Sequence, residues 1–193
     1  RDKQARLGHW FPDVALAAIV RSPIDERFRH KVAFVFAPNT GSANLVMGHY
    51  RRGSRSVVPV EECPVHAVEG NRVAFVMRDV LQDAGIPGMA AQGQSGVARH
   101  IVVRTADRDE SWLATLVVAA NVKPLKRVTA EFLRRVASGA PPHAGSAPRW
   151  GLGLSVHDRP DPYLFGRESM HLSGARGVRE TVAGVTYLVT PAA

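Results

Sequence analysis

FRHKVAFVFAPNTGSANLVMGHYRRGSRSVVPVEECP, residues 28–64, is the stretch from which the architecture is read. Three short apolar runs, Val32 to Phe36, Leu45 to Met47 and Val57 to Val60, have the length and β-branched content of strands. Pro38-Asn39-Thr40-Gly41 and Arg52-Gly53-Ser54 separate them with turn-forming residues. The expectation is an antiparallel meander. Its strand ends are crowded with Arg27, Arg29, Lys31, Arg51, Arg52 and Arg55, and it closes on Cys63-Pro64. Such a rim either meets phosphate or is the solvated edge of an ordinary sheet.

Upstream, Leu7, Trp10, Phe11, Val14 and Ala18 stand near helical spacing within residues 1–18, with Pro12 interrupting them. Residues 21–27 read as a linker around Ser22-Pro23. Downstream, Val73, Val76, Met77, Val80, Leu81 and Ala84 form one apolar stripe at helical spacing, closed by Gly85 and Pro87. Two nearly continuous apolar strands follow, Arg99 to Thr105 and Trp112 to Ala119, joined by a polar hairpin connection. Their composition predicts that both faces are covered. A second helix spans about Pro124 to Ala137, with Gly139 suited to its C-terminal cap. Residues 140–149 read as loop, and strand-like pieces recur at Gly151 to Val156, Tyr163 to Phe165, Met170 to Leu172 and Val185 to Val189. The order predicts an α+β fold, an antiparallel meander and hairpins with two main helices packed on the sheet.

The 193 residues are 45% apolar and carry a formal charge of +8. This composition is globular, and its charge favours an anionic partner, although an arginine-rich but inert protein has the same balance. The single cysteine excludes an internal disulfide framework. No apolar run is long enough to cross a bilayer, and no signal-peptide pattern opens the chain, so a cytoplasmic monomer is expected. The eight histidines show no metal-binding repeat. Cys63 and His66 have Cys-x-x-His spacing, two ligands where structural zinc takes four.

Several segments, in order, resemble the RNA uracil-5-methyltransferase family. They are Phe28-Arg29-His30-Lys31, Gly48-His49-Tyr50-Arg51-Arg52-Gly53-Ser54, Cys63-Pro64-Val65 and Ala98-Arg99-His100-Ile101-Val102-Val103-Arg104. Tyr163-Leu164-Phe165-Gly166-Arg167-Glu168, Ser173-Gly174, Val178-Arg179-Glu180 and Gly184-Val185-Thr186-Tyr187 extend the likeness. His30 stands where the family commonly has Asn.

The resemblance implies residues 1–27 as an N-terminal helix and linker and residues 28–193 as a central RNA-binding and substrate domain. The methyltransferase domain is expected downstream. In the family reaction a thiolate adds to C6 of uracil, C5 accepts a methyl group from S-adenosylmethionine, and a base removes the C5 proton. No glycine-rich donor fingerprint occurs in this sequence, so the chain alone is expected to be inactive, with no catalytic residue of its own. Its implied role is to bind RNA, ribosomal in preference to transfer RNA, and to present a flipped uridine in RNA modification. Arg29, Lys31, Arg51, Arg52, Arg55, Arg99 and Arg104 are the implied RNA-binding residues. Cys63 is implied as one ligand of a 4Fe-4S cluster, in the full-length protein only. Its thiol is then expected near the N-terminal segment, open to solvent or covered by residues 1–20. The alternative is a stand-alone RNA-binding module without catalytic activity.

Overall fold

The computed structural model describes residues 2–39, 45–89, 95–106, 111–137, 149–159 and 163–191. The expected loop at 140–149, apart from Arg149, lies outside them, as do Thr40-Gly41, Gly139, His143 and the middles of the 88–96 and 106–111 connections.

Three strands open the sheet, β1 (Lys31–Pro38), β2 (Leu45–Tyr50) and β3 (Val57–Pro59), preceded by helix α1 (Asp2–Trp10). Helix α2 (Val68–Asp83) leads to β4 (Ala98–Ala106) and β5 (Ser111–Val118). Helix α3 (Leu125–Ala137) leads to β6 (Trp150–Val156) and β7 (Glu168–Gly174), and β8 (Val178–Val182) and β9 (Val185–Val189) end the fold. Seven strands form one sheet in the order β3-β2-β1-β4-β5-β6-β7, and β8 and β9 form a separate hairpin. The fold is α+β.

Every pairing in the large sheet is antiparallel except β5 with β6, which run parallel in register from Trp112↔Trp150 to Val118↔Val156. The sequence reading does not contain that pair. A parallel neighbour needs a long crossover, and α3 supplies it. Tyr163–Phe165, expected as a strand, is not one. The chain bends there because Gly166 packs onto β6: a Cβ at Gly166 would stand 1.6 Å from the carbonyl oxygen of Val156. The β8 strand is likewise absent from the sequence reading, and α1 stops at Trp10, ahead of Pro12.

Strand alternation gives the sheet two faces. Phe34, Ile101, Leu116 and Leu154 stand in one cross-strand row. They belong to the main apolar cluster, with Val73, Met77, Val80 and Leu81 of α2 and Leu125, Val128, Phe132 and Val136 of α3. Each such side chain contributes roughly 1.5–3 kcal/mol of transfer free energy when fully buried. The α2 stripe therefore fixes the helix on the sheet, as its spacing predicts. Gly85 ends α2 at φ +66°, with the N–H of Ile86 on the carbonyl of Leu81 and that of Gly85 on Gln82. This is a Schellman closure, open to glycine because φ is positive.

The second face carries Val35, His100, Val117 and Ser155 in one row and Lys31, Arg104 and Leu113 in another. Val178 and Val189 of the terminal hairpin cover Ala106 and Leu113. As a result β5 is buried along its whole length, which accounts for its nearly unbroken apolar sequence.

Candidate nucleic-acid interface

Two segments singled out by the sequence are joined through their backbones. The N–H of Arg27 donates to the carbonyl of Pro64, and the N–H of Arg29 donates to that of Val65, both at 2.8 Å. Ala67 returns a bond from its N–H to the carbonyl of Arg29 at 3.0 Å. Phe28–Lys31 and Cys63–Val65 thus form one unit, reinforced by the Arg27–Glu62 ion pair. His30 adds a second tie: its Nδ1 lies 3.2 Å from Thr105 Oγ1, and its carbonyl accepts the N–H of Thr105 at 2.7 Å. His30 therefore anchors the entry of β1 to β4.

Lys31 and Arg104 are cross-strand partners. Partial burial and then the Arg104 charge push the Lys31 ammonium below the usual lysine range. Its Nζ also sits 6.0 Å from the centroid of Phe165, which the 163–168 bend brings under it. Arg29, exposed, stands closer to β2. There it adds to burial in lowering the pKa of His49, whose ring stacks on Phe34 at 4.9 Å.

Arg51, Arg52 and Arg55 occupy the exposed turn between β2 and β3, closed by the N–H of Arg51 on the carbonyl of Ser56 at 2.8 Å. Gly53 takes φ +70° at its tip. Neither they nor Arg29 form an ion pair among the described residues. The helix arginines differ. Arg72 pairs with Glu69, Arg78 with Asp79, Arg134 with Glu131, and Arg135 with Asp83 and Glu131. Hydrogen bonds from Arg134 and then Arg135 hold the Glu131 carboxyl at a pKa of about 2. Among the helix arginines, Arg6 and Arg127 alone lack an ion pair among the described residues, whereas all three arginines of the β2–β3 turn lack one.

Arg99 opens β4 at an irregularity in its pairing with β5. Its guanidinium donates to the carbonyls of His157 and Arg159, which fixes its position without an acid. Beside it, His100 is buried, and its Nδ1 makes no hydrogen bond. Burial, then Arg99 and His157, bring its pKa to about 4. Arg99 and Arg55 both act on the Tyr50 hydroxyl, opposing the rise that burial causes there. The structure thus gathers the sequence-derived cations into two groups, Lys31 with Arg104 and Arg55 with Arg99 around Tyr50. Arg29 stands apart by His49. The sequence reading missed Tyr50, His100 and Phe165 as site residues. The only available signal was that Tyr50 and His100 each adjoin an arginine, and that Phe165 stands two residues from one, inside a quoted motif.

Cys63 is only 6% exposed and belongs to the main apolar cluster. Asn71 of α2 grips its backbone: Asn71 Nδ2 donates to the Cys63 carbonyl at 2.9 Å, and Asn71 Oδ1 accepts the Cys63 N–H at 3.2 Å. None of the described residues of 2–20 is in that cluster. The thiol expected at the surface or under the N-terminal segment is instead sealed by the sheet and α2, where it packs as a small hydrophobe. A four-iron cluster takes four thiolates. A single buried cysteine gives such a cluster no support in this chain, and among the described residues no three His, Cys, Asp or Glu side chains converge on a metal position. No described helix is long and apolar enough to cross a membrane.

The architecture is one already seen in a solved structure. It superposes on part of the crystal structure of Pyrococcus abyssi tRNA (uracil-54, C5)-methyltransferase in complex with S-adenosyl-L-homocysteine. The TM-score is 0.71 at 17% identity, over 98% of this chain and 41% of that one. Uncharacterized RNA methyltransferases match in sequence. One from Synechocystis sp. is 25% identical over 190 residues, covering 96% of this chain and 38% of the relative. Another from Thermosynechococcus vestitus is 26% identical over 190 residues, covering 98% and 39%. One from Listeria monocytogenes is 26% identical over 161 residues, covering 83% and 33%. No protein-family profile matches the chain. These similarities bear out the resemblance to the RNA uracil-5-methyltransferase family. The chain spans about two fifths of the length of the first two relatives.

Proposed function

We propose that this chain is the RNA-binding central part of an S-adenosylmethionine-dependent RNA (uracil-C5)-methyltransferase. It holds a ribosomal or transfer RNA while a target uridine is flipped from its stack. The observation that carries the reading is the set of exposed arginines without an ion pair among the described residues at the start of the meander and in its turn: Arg29 before β1, and Arg51, Arg52 and Arg55 between β2 and β3. Unpaired guanidinium groups on one rim release counterions when phosphate replaces solvent, which gives affinity without sequence choice. Lys31 with Arg104, and Arg99, extend the cationic surface toward the second face of the sheet. A base whose C5 must be reached cannot stay stacked, so the flipped nucleotide needs a protein wall, and the Lys31–Phe165 contact offers one beside the basic rim. S-adenosylmethionine would supply the methyl group. The sequence has no glycine-rich fold for it, so donor binding falls to the rest of a longer protein.

The test is RNA binding as a function of salt. Log K for an unmodified ribosomal RNA fragment and for a transfer RNA should fall linearly with log[salt]. Replacing Arg51, Arg52 and Arg55 together by Ala should flatten the slope by roughly 2–3 units. An unchanged slope would turn those arginines away from the RNA, and absence of binding by the wild-type chain would overturn the reading.

A further inference from the structure

Tyr50 ends β2 on the same side of the sheet as Val35 and His100, with Gly48 between it and the strand centre. Its cross-strand partner is Val57, so it stands at the base of the turn carrying Arg51, Arg52 and Arg55. It is 42% exposed. Other exposed aromatic rings among the described residues are Trp10 and Phe11 at and just beyond α1, Phe28 ahead of β1, Tyr163 in the 163–168 bend and Tyr187 on the terminal hairpin. Tyr50 differs in standing at the base of the arginine-bearing turn, where the charges of Arg55 and of Arg99 on β4 both act on its hydroxyl. Arg99 is held by the carbonyls of His157 and Arg159, so its charge is not cancelled. Gly48 lets β3 lie close against β2, since a Cβ there would stand 1.9 Å from the Val58 carbonyl oxygen. That close packing fixes the start of the turn beside Tyr50.

A half-exposed ring in a cationic field is what an unstacked nucleobase requires: a π face to cover and nearby charge to neutralise its phosphates. We infer that Tyr50 is a stacking platform for one base of a single-stranded RNA segment, with Arg55 and Arg99 holding the phosphates that flank it. This rests on the RNA reading above and adds a contact to the base, whereas the arginines contact only the backbone. The contact is tolerant of base identity, because every base offers a π face.

The probes are a fluorescein-labelled oligouridylate and an abasic ribose-phosphate oligomer of equal length. The wild-type chain should prefer the oligouridylate. Tyr50→Phe should keep that preference, and Tyr50→Leu should reduce oligouridylate affinity about tenfold. Tyr50→Leu should leave abasic binding and its salt slope unchanged. Wild-type affinity for oligouridylate in Tyr50→Leu, or no wild-type preference between the probes, overturns the inference and leaves the RNA reading standing. Failure of the wild-type chain to bind either probe overturns both. Photo-crosslinking the wild-type chain to 5-iodouridine-substituted oligouridylate avoids any folding defect in the variants. The adduct should map to Tyr50, and adducts confined to other residues overturn the inference.

Discussion

Lys31 lies directly across from Arg104 where β1 pairs with β4, so two cations share one end of that join. Burial depresses the lysine pKa, and the Arg104 charge depresses it further. Because the folded pKa lies below the unfolded one, the penalty to folding is present while Lys31 is charged in the fold. It is relieved as pH rises through the folded pKa. Arg104→Gln should move the Lys31 titration upward, measured by the chemical shift of a 13C label at Cε. Saturating RNA should move it in the same direction, since phosphate favours the charged amine.

His100 gives a pH dependence of the same sign in a more acidic window. Its pKa is about 4 in the fold and 6.5 in the ordinary state. Above pH 6.5 neither state is charged there. As pH falls below 6.5 the unfolded chain takes up the proton first, so stability declines, levelling off below about pH 4. The full difference is on the order of 3 kcal/mol. Urea unfolding between pH 7 and 4 should show this loss in the wild type. His100→Gln should have a flatter profile, whatever its absolute stability.

Two glycines separate steric crowding from backbone strain. Gly166→Ala forces a Cβ onto the Val156 backbone and should cost roughly 2–3 kcal/mol. Gly53→Ala meets nothing within 4 Å but keeps φ near +70°, so its cost should be about 1 kcal/mol. Equal losses by thermal unfolding would contradict the packing of the 163–168 bend on β6.

The Cys63–Asn71 clamp predicts an order of effects. Cys63→Ala removes a small buried side chain and should cost about 1 kcal/mol. Asn71→Ala leaves a buried N–H and carbonyl of Cys63 without their amide and should cost about 2–3 kcal/mol. If Cys63→Ala proves the worse of the two in chemical denaturation, the thiol has a role that packing does not describe.

The meander, the α2 stripe and the β4–β5 pair are legible in the sequence because each rests on local spacing: alternation, a 3.6-residue period, Gly85 followed by Pro87. The β5–β6 parallel pair is not, since it depends on where α3 delivers the chain. Tyr163–Phe165 reads as a strand by composition, yet the close approach of Gly166 to Val156 bends it. In the candidate site the cations are legible residue by residue. Their grouping is not, because Arg55 and Arg99 meet at Tyr50 through strand order alone. The environment of Cys63 is hidden for the same reason: its motif fixes the backbone path and leaves the burial to Asn71 and α2.

The strand order divides into two consecutive runs, β3-β2-β1 and β4-β5-β6-β7. Their hydrogen-bonded seam is β1 against β4, from Lys31↔Arg104 to Val35↔His100. Each half is laid down by a continuous piece of chain, so the seam closes only after α2 has brought them together. With like charges at one end, it is the place where the sheet should breathe most readily. A polyanion lying across Lys31 and Arg104 would cancel that repulsion and stiffen the seam. Slowed amide exchange in β1 and β4 would then report occupancy of the surface from inside the sheet.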